Sequence, residues 1–446
     1  MSSFRGPCIL LTFFLAFALL LPASGGAQTA GDGLRRQAYL GAAMRSPSGG
    51  RAGAEVARVD KGTAAETAGF QVGDRVLRIN GQLLTDPVVF NRTYGSLRGG
   101  DTATFEILRN GQTLSKKVTL PAMPLETIEN LDVTYGSVLT DRGYRLRTIF
   151  TKPKGSKGKL PGVLLVGWLS CNSPEWPLGS QSGTRRLIHG VATTSGFAML
   201  RVDKPGAGDS EGPPCIEADF QSELAGYRAG LQELKRHPDV DPERIFILGS
   251  SNGGAIAPLV AEGEKVRGIA VSGAWVKTWY EHMMEHERRR LAFIGTPIGE
   301  INQKMSGYAE LYTSYYIQKM TPGEAVRQKP HLAALWYDEP AHQYGRPASF
   351  YHQLQDLNLP AAWEKVEAPV LVVYGEHDWI MTRDDHEIIV DIVNRRRPGT
   401  ARFVAIPKMD HSFLQYDTPE AAFKGGPGTE PAELVPLIVD WMKGLL

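Results

Sequence analysis

Apolar and polar residues follow two different patterns along this chain of 446 residues. Between residues 37 and 122, short runs alternate apolar and polar positions and are separated by Gly and Asn-Gly turns. This alternation predicts antiparallel strands in a small β-rich module. Further on the apolar runs become continuous, at 162–166, 197–202, 245–248, 266–271 and 370–374. Continuous apolar strands that alternate with helices predict a mainly parallel sheet with helices on both faces, which is the α/β class.

Residues 277–365 interrupt this rhythm. The segment is long, mostly helical in pattern and without an apolar strand. Such insertions are typically functional, so we expect a helical lid over the site. Its aromatic residues suit an apolar substrate group, although the core of the lid is the more usual role for most of them: Trp279, Tyr280, Tyr308, Tyr312, Tyr315 and Tyr316.

The first 27 residues have the pattern of a secretory signal, with Arg5 before an apolar stretch and small residues up to Ala27. The apolar stretch is short for a bilayer-spanning helix, and a retained anchor is the alternative. The net charge of +1 and the apolar fraction of 42% are those of a soluble globular protein and do not suggest nucleic-acid binding. We therefore expect a secreted or periplasmic protein with no membrane span after cleavage.

Signal removal leaves two cysteines, Cys171 and Cys215. An even pair in an oxidising compartment predicts a disulfide. Closing a loop of about 45 residues corresponds to roughly 4 kcal/mol in the chain-entropy model. The alternative is two free buried thiols.

The pattern Gly-x-Ser-x-Gly occurs twice, around Ser210 and around Ser251. Ser251 follows the apolar run Ile245–Leu248 and precedes small residues that can open a helix. This is the form of a nucleophile elbow, in which a strand turns sharply into a helix and lifts the serine clear of the sheet. Ser210 is followed by Gly212, Pro213 and Pro214, which cannot continue as a helix. We therefore predict Ser251 as the nucleophile and Ser210 as a loop residue.

A serine nucleophile needs a base, and the base needs an orienting acid. Asp378 follows the apolar run at 370–374, and His411 lies just past a later strand at 402–406. We predict Asp378 as the acid and His411 as the general base. The open alternatives are Glu376 and Asp410 for the acid and His377 and His386 for the base.

The order Ser251, Asp378, His411 resembles that of the α/β-hydrolases. The segment from Asp203 to Gly212 resembles a structural turn of the same proteins, which agrees with a loop role for Ser210. The resemblance covers about 131–446, and we assign 123–446 to this domain. It implies an oxyanion hole built from the N–H of Asn252 and from the loop after the strand at 162–166, with Trp168 first and Leu169 second. That loop lacks the common His-Gly.

The segment Ala68-Gly69-Phe70-x-Val72-Gly73-Asp74 and its continuation to Gly81 resemble a bacterial PDZ domain, which we assign to 37–122. The resemblance implies a groove beside a helix at 86–96 that receives a peptide or protein C-terminus. The alternative is a module that binds nothing tightly and only positions its neighbour. The implied carboxylate-binding loop is Tyr39, Leu40, Gly41 and Ala42.

One further pattern, His282-x-x-Glu285-His286, is typical of some zinc sites, but no third ligand is evident. We expect neither a metal nor a cofactor.

Together these patterns predict a serine hydrolase that cleaves carboxylic esters through an acyl-enzyme, and they resemble secreted bacterial carboxylesterases that carry a PDZ domain. The small-molecule substrate is an ester or, on the alternative hypothesis, a peptide held by an aminopeptidase-like site with Glu281 and Glu285 near the amine. A third hypothesis is a PDZ scaffold with a silent hydrolase body.

Overall fold

The computed structural model describes residues 33–45, 47, 52–85, 87–176, 180 and 182–446. The predicted signal at 1–27 lies outside these residues. Described residues form two bodies with separate apolar cores, as the change of pattern near residue 122 predicts. No helix among them combines the length and the apolar character needed to cross a membrane.

The alternating segments of the first body form a small antiparallel sheet. Two Asn-Gly pairs make its tight turns, and Asn110 and Gly111 have φ values of 50° and 80°, as a two-residue hairpin turn requires. Its core includes Phe70 and Phe105, whose rings meet edge to face at 5.6 Å. Its strands are β1 Ala42–Arg45, β2 Ala54–Val59, β3 Arg75–Ile79, β4 Gln82–Leu83, β5 Thr102–Arg109 and β6 Gln112–Thr119, and its helices are α1 Ala64–Thr67 and α2 Pro87–Gly95. The predicted helix at 86–96 corresponds to α2.

The continuous apolar runs form the middle of an eight-stranded sheet. They are buried on both faces because helices cover both sides of the sheet. The strands are β7 Leu131–Leu139, β8 Arg145–Pro153, β9 Leu160–Val166, β10 Ala198–Val202, β11 Val240–Ser250, β12 Gly268–Ser272, β15 Val370–Gly375 and β16 Ala401–Ile406. Their order is β16-β15-β12-β11-β9-β10-β8-β7, with β7 and β8 antiparallel at one edge. The mainly parallel α/β sheet is thus confirmed.

Amphipathic helices pack on this sheet. Helix α4 (Phe220–Arg236) begins at Asp219, whose carboxylate accepts the N–H of Ser222, and its buried stripe faces the core. The others are α3 Gly183–Thr194, α5 Asn252–Val260, α11 Arg383–Arg396, α12 Pro419–Lys424 and α13 Leu434–Gly444.

The segment between β12 and β15 is mostly helical, in line with the predicted insertion at 277–365. It comprises α6 Trp279–Phe293, α7 Ile298–Tyr312, a π-helix at Thr313–Ile317, α8 Pro322–Gln328, a 3₁₀ helix at Pro330–Leu335, a short hairpin of β13 His342–Gln343 and β14 Arg346–Pro347, α9 Ala348–Gln355 and α10 Leu359–Glu364. The hairpin was not predicted, because two-residue strands leave no periodicity in the sequence. Five of the six predicted lid aromatics are buried in the apolar core that this segment shares with the sheet, and Tyr280 is half-buried.

Arg36 joins the two bodies. Its guanidinium is completely buried and contacts Glu175 at 2.7 Å and Asp209 at 2.6 Å. The same guanidinium donates to the carbonyl of Met123, in the linker between the bodies. This buried cation and its two carboxylates fix the relative position of the two bodies, because separating the bodies would leave buried charges without partners.

Candidate active site

Ser251 occupies the sharp turn between β11 and α5. Its φ of 56° and ψ of −126° are rare for a residue with a side chain, and such strain concentrates at functional sites. A Cβ on Gly253 would lie 2.1 Å from the carbonyl oxygen of Val166, and one on Gly249 would lie 2.8 Å from that of Gly253. The flanking glycines are therefore required by the close approach of strand and helix.

His411 lies beside Ser251, on the loop that follows β16. Its Nε2 is 2.9 Å from the Ser251 hydroxyl, and its Nδ1 is 2.8 Å from Oδ2 of Asp378. The other carboxylate oxygen of Asp378 accepts the N–H groups of Ile380 and Met381, both at 2.9 Å. The structure thus brings the three predicted residues into one chain of hydrogen bonds.

The charges around His411 favour the protonated form of its imidazole, as a general base requires. Burial alone would lower the pKa of His411, but the negative charge of Asp378, its hydrogen bond and the charge of Asp410 together raise that pKa above its ordinary value. Burial alone would raise the pKa of Asp378, yet His411 and the N–H of Met381 lower it overall. Asp378 therefore stays ionised at the pH values at which His411 acts as a base, and its charge stabilises the protonated imidazole.

The rival residues have other partners. Nδ1 of His386 pairs with the carbonyl of Thr382 at 2.7 Å, and its Nε2 accepts the N–H of Ala274 at 3.1 Å, so both ring nitrogens are occupied. Asp410 accepts the N–H groups of Ser412 and Leu414, each at 2.9 Å, which folds the loop that carries His411. His377 and Glu376 make no hydrogen bond to Ser251 or His411 in the described chain.

The candidate oxyanion donors lie on two sides of the elbow. Asn252 begins α5, and Trp168 and Leu169 follow the end of β9. The backbone N–H groups of these residues donate no hydrogen bond within the described chain. They remain available to an oxygen atom placed near Ser251.

Lys204 braces that loop and was not predicted from the sequence. Its ammonium donates to the carbonyls of Trp168 and Ser170, the second at 2.6 Å. Burial lowers the pKa of Lys204 to about 8, against the opposing charge of Glu223. Arg289 was also missed: it donates to the carbonyls of Trp379 and Ile380 at 2.9 and 2.6 Å, beside Asp378.

Cys171 and Cys215 form the predicted disulfide, with an S–S distance of 2.08 Å. The bond ties the loop after β9 to the segment that follows Ser210. Arg346 lies against it, with its guanidinium 3.0 Å from Sγ of Cys215 and 2.7 Å from Glu223.

Ser210 is buried away from this centre. Its hydroxyl accepts the N–H of Arg147 at 2.9 Å. A Cβ on Gly208 would lie 2.1 Å from the carboxylate of Asp203, so this turn is also tightly folded. The loop role of Ser210 follows from these contacts.

Residues 185–418 match the protein family described as serine aminopeptidase, S33, and this range covers more than half of the chain. The chain belongs to the S33 serine aminopeptidase family. Residues 38–120 match the PDZ domain family, so the S33 region follows a PDZ domain.

Other proteins resemble this S33 member over parts of their length. Esterase EstD of Thermotoga maritima is 22% identical over 238 residues, which are 53% of this chain and 51% of EstD. A probable periplasmic serine endoprotease, DegP-like, of Pseudomonas putida is 41% identical over 73 residues, 16% of this chain and 15% of its own. The chain thus spans about half the length of the first relative and about a seventh of the second. A solved esterase of Pyrococcus furiosus overlays with a TM-score of 0.45 and 13% identity, covering 73% of this chain and 96% of that one.

The helical segment between β12 and β15 carries His282 and His286 on one face of α6, both buried. Among the residues that the structure describes, no cluster of three or more His, Cys, Asp or Glu side chains is arranged to hold a metal. The intervening Glu285 is paired instead with Lys277 at 2.7 Å. Glu281 caps the helix start through the N–H and hydroxyl of Thr278.

The predicted PDZ carboxylate-binding loop lies at a cavity of about 1240 Å³ between the two domains. The N–H of Leu40 donates to the hydroxyl of Tyr94 on α2 at 2.9 Å, so one of the implied ligand-binding groups is already in use. Gly41 has a φ of 78°, and a Cβ there would lie 2.2 Å from Thr63. The cavity wall comprises Tyr39, Gly41 and Ala42 on the PDZ side and Ser170, Cys171, Asn172, Tyr344 and Gly345, among others, on the S33 side.

Proposed function

We propose that this protein is a serine hydrolase that cleaves carboxylic esters through an acyl-enzyme intermediate. The observation that carries the proposal is the pair of hydrogen bonds that His411 makes, 2.9 Å to Ser251 and 2.8 Å to Asp378. The name of EstD, an esterase, agrees with it.

In the proposed reaction, Nε2 of His411 takes the hydroxyl proton as Ser251 attacks the ester carbonyl carbon. The N–H groups of Asn252 and of Trp168 or Leu169 stabilise the oxyanion of the tetrahedral intermediate. His411 then returns the proton to the departing alcohol, and an acyl-serine remains. A water molecule, deprotonated by the same imidazole, releases the acid and restores Ser251. Asp378 holds the imidazole in the required tautomer and stabilises its cation.

Hydrolysis of short p-nitrophenyl esters by the wild type and by Ser251→Ala tests this proposal. We expect the variant to lose turnover while it keeps its melting temperature. A fluorophosphonate probe should label the wild type at Ser251, and failure to label would favour the alternative of a non-catalytic scaffold.

The family description favours a second candidate, an aminopeptidase. Against it, the two acidic residues that would hold the substrate amine have other partners: Glu281 caps α6, and Glu285 pairs with Lys277. Turnover of aminoacyl p-nitroanilides against p-nitrophenyl esters separates the candidates. A higher kcat/KM for the anilides would overturn the ester assignment.

For the PDZ domain we propose peptide or protein binding that brings a ligand close to the hydrolase loops. Its carboxylate-binding loop shares a cavity with Ser170, Cys171 and Asn172, just past the candidate oxyanion donors. We further propose an extracytoplasmic protein, secreted or periplasmic. The disulfide and the periplasmic naming of the DegP-like relatives support that location.

A further inference from the structure

Two buried histidines of the lid have no role in the reaction proposed above. His282 and His286 are 2% and 6% exposed, and they lie one turn apart on α6 with ring centroids separated by 6.1 Å. Neither imidazole makes a hydrogen bond within the described chain, and Nδ1 of each is sealed from solvent without a partner. Buried polar groups are almost always paired, because an unpaired one costs free energy.

Both rings pack against tryptophans that adjoin the candidate catalytic group. His286 stacks on Trp379, which follows Asp378, with centroids 5.2 Å apart. His282 stacks on Trp275 at 6.3 Å. The indole N–H of Trp275 in turn donates to the side-chain oxygen of Asn252, the residue after Ser251, at 3.2 Å.

The electrostatics agree with this placement and keep both rings neutral. Burial lowers the pKa of His286 to about 3, with further contributions from Arg289, Arg290 and His411. Burial, followed by the charge of His286, also lowers the pKa of His282. A neutral imidazole offers one donor and one acceptor, which matches a hydroxyl group that can accept and donate.

The surroundings are aromatic. Trp279 lies 4.9 Å from His282, and Tyr344 meets His286 edge to face at 6.4 Å. Indole and phenol faces favour a flat ring over a flexible alkyl chain. Tyr344 also lines the cavity between the domains.

We propose that His282 and His286 are specificity-determining residues that hydrogen-bond a hydroxyl group on a ring in the acyl or alcohol part of the substrate. This inference rests on the proposed ester hydrolysis. It gives the His-x-x-Glu-His pattern a role in substrate selection rather than in metal binding.

The test uses the full mature protein and two matched ester pairs. On the alcohol side, m-hydroxyphenyl acetate is compared with phenyl acetate. On the acyl side, p-nitrophenyl p-hydroxyphenylacetate is compared with p-nitrophenyl phenylacetate. We expect the wild type to favour the hydroxylated member of at least one pair by about tenfold or more in kcat/KM. No preference in either pair would overturn the inference without any variant.

Variants then assign the preference to the two rings. His282→Phe and His286→Phe should abolish it by raising the KM of the hydroxylated ester more than the KM of the plain ester. His282→Gln and His286→Gln keep a polar group and should retain part of it, and they replace the Phe variants if those fail to fold. His331→Phe is the matched control, since this lid imidazole has a side chain 64% exposed and pairs with Glu310. A preference that keeps its full wild-type size in both Phe variants, or in both Gln variants where the Phe variants do not fold, would also overturn the inference.

Failure of the proposed function gives a different result. If phenyl acetate hydrolysis does not depend on Ser251, the ester mechanism itself is wrong. If it depends on Ser251 but shows no hydroxyl preference, only the role of the two histidines is wrong.

Discussion

The loops around Ser210 and Ser251 share the pattern Gly-x-Ser-x-Gly, and the fold uses them in opposite ways. The hydroxyl of Ser210 faces inward and accepts the N–H of Arg147, whereas that of Ser251 is half-buried and meets His411. The residues that follow make the difference: Pro213 and Pro214 prevent a helix from starting directly behind the first serine, and α5 begins directly after the second serine. The same five-residue pattern thus yields a packing group or a nucleophile, depending on whether a helix can start behind it.

The largest expected effect separates the two serines by activity. Ser251→Ala should lower kcat/KM on p-nitrophenyl acetate by at least about 10⁴-fold, because nucleophile and base act as a unit. Ser210→Ala should stay within about threefold of the wild type, because Ser210 contacts no reacting group. Steady-state kinetics of the two variants provide the measurement. Equal losses of kcat/KM would contradict the assignment of different roles to the two serines.

The acids beside the two serines provide the next contrast. Asp378→Asn should lower kcat by about 10⁴-fold, because the amide no longer supports the protonated imidazole. Asp203→Asn should change kcat little at neutral pH. Burial raises the pKa of Asp203 to about 8, so its carboxyl group is already mostly neutral there and resembles the amide. Comparable losses in kcat would mean that Asp203 has a role in the reaction.

The disulfide ties the two loops together, and its removal tests how far they depend on each other. Cys171→Ala combined with Cys215→Ala should reduce the free energy of unfolding by about 2–4 kcal/mol. Denaturant unfolding measures it, with the reduced wild type as a control. We also expect a lower kcat, because Cys171 follows the candidate oxyanion donors closely. Full stability and turnover in the double variant would contradict a bracing role.

A smaller effect concerns the stability that Ser210 supplies. In Ser210→Ala the buried N–H of Arg147 loses its acceptor, which should cost about 1–3 kcal/mol. Ser251→Ala should leave stability within about 0.5 kcal/mol, since a half-buried hydroxyl at a strained turn contributes little. Chemical denaturation of both variants provides the measurement, and the opposite ranking would refute the assignment of roles.

The smallest effect is a shift in pH dependence. His411 acts as a base only when neutral, so activity should rise as pH rises through its pKa. Because Asp378 and Asp410 raise that pKa, the midpoint of the acid limb of kcat/KM should lie above about 6.5. In Asp378→Asn the residual activity should show a lower midpoint. A wild-type midpoint below that value would contradict the electrostatic account.

Much of the fold could be predicted because the pattern of apolar residues in a long segment shows directly which faces of a strand or helix are buried. The continuous apolar runs became β9, β10, β11, β12 and β15, and chain order suggested the candidate triad. The sequence could not show Lys204 on the carbonyls after β9 or Arg289 on those after Asp378. Such contacts join side chains to backbone atoms of distant segments, and no local pattern encodes them.

The arginine run at 288–290 illustrates the same limit. Its charges suggest a solvated helix face. Instead Arg289 is directed toward the loop after Asp378, and Arg290 pairs with the completely buried Glu287 at 2.7 Å. Whether a charged side chain is exposed to solvent depends on its contacts with distant parts of the chain, which the local sequence does not reveal.

The contact of Arg36 with Glu175 and Asp209 bears on how such a protein can be divided or recombined. Cutting the chain after residue 122 would remove this cation and leave the buried Glu175 without its ion pair, although Asp209 keeps Arg147 at 3.0 Å. The activity of a truncated hydrolase would therefore reflect that lost contact as well as the missing PDZ domain. Substitutions within the PDZ groove are the cleaner dissection. By the same reasoning, a PDZ domain exchanged by gene fusion should be joined after Arg36, so that the residue just before the domain keeps its contacts with Glu175 and Asp209.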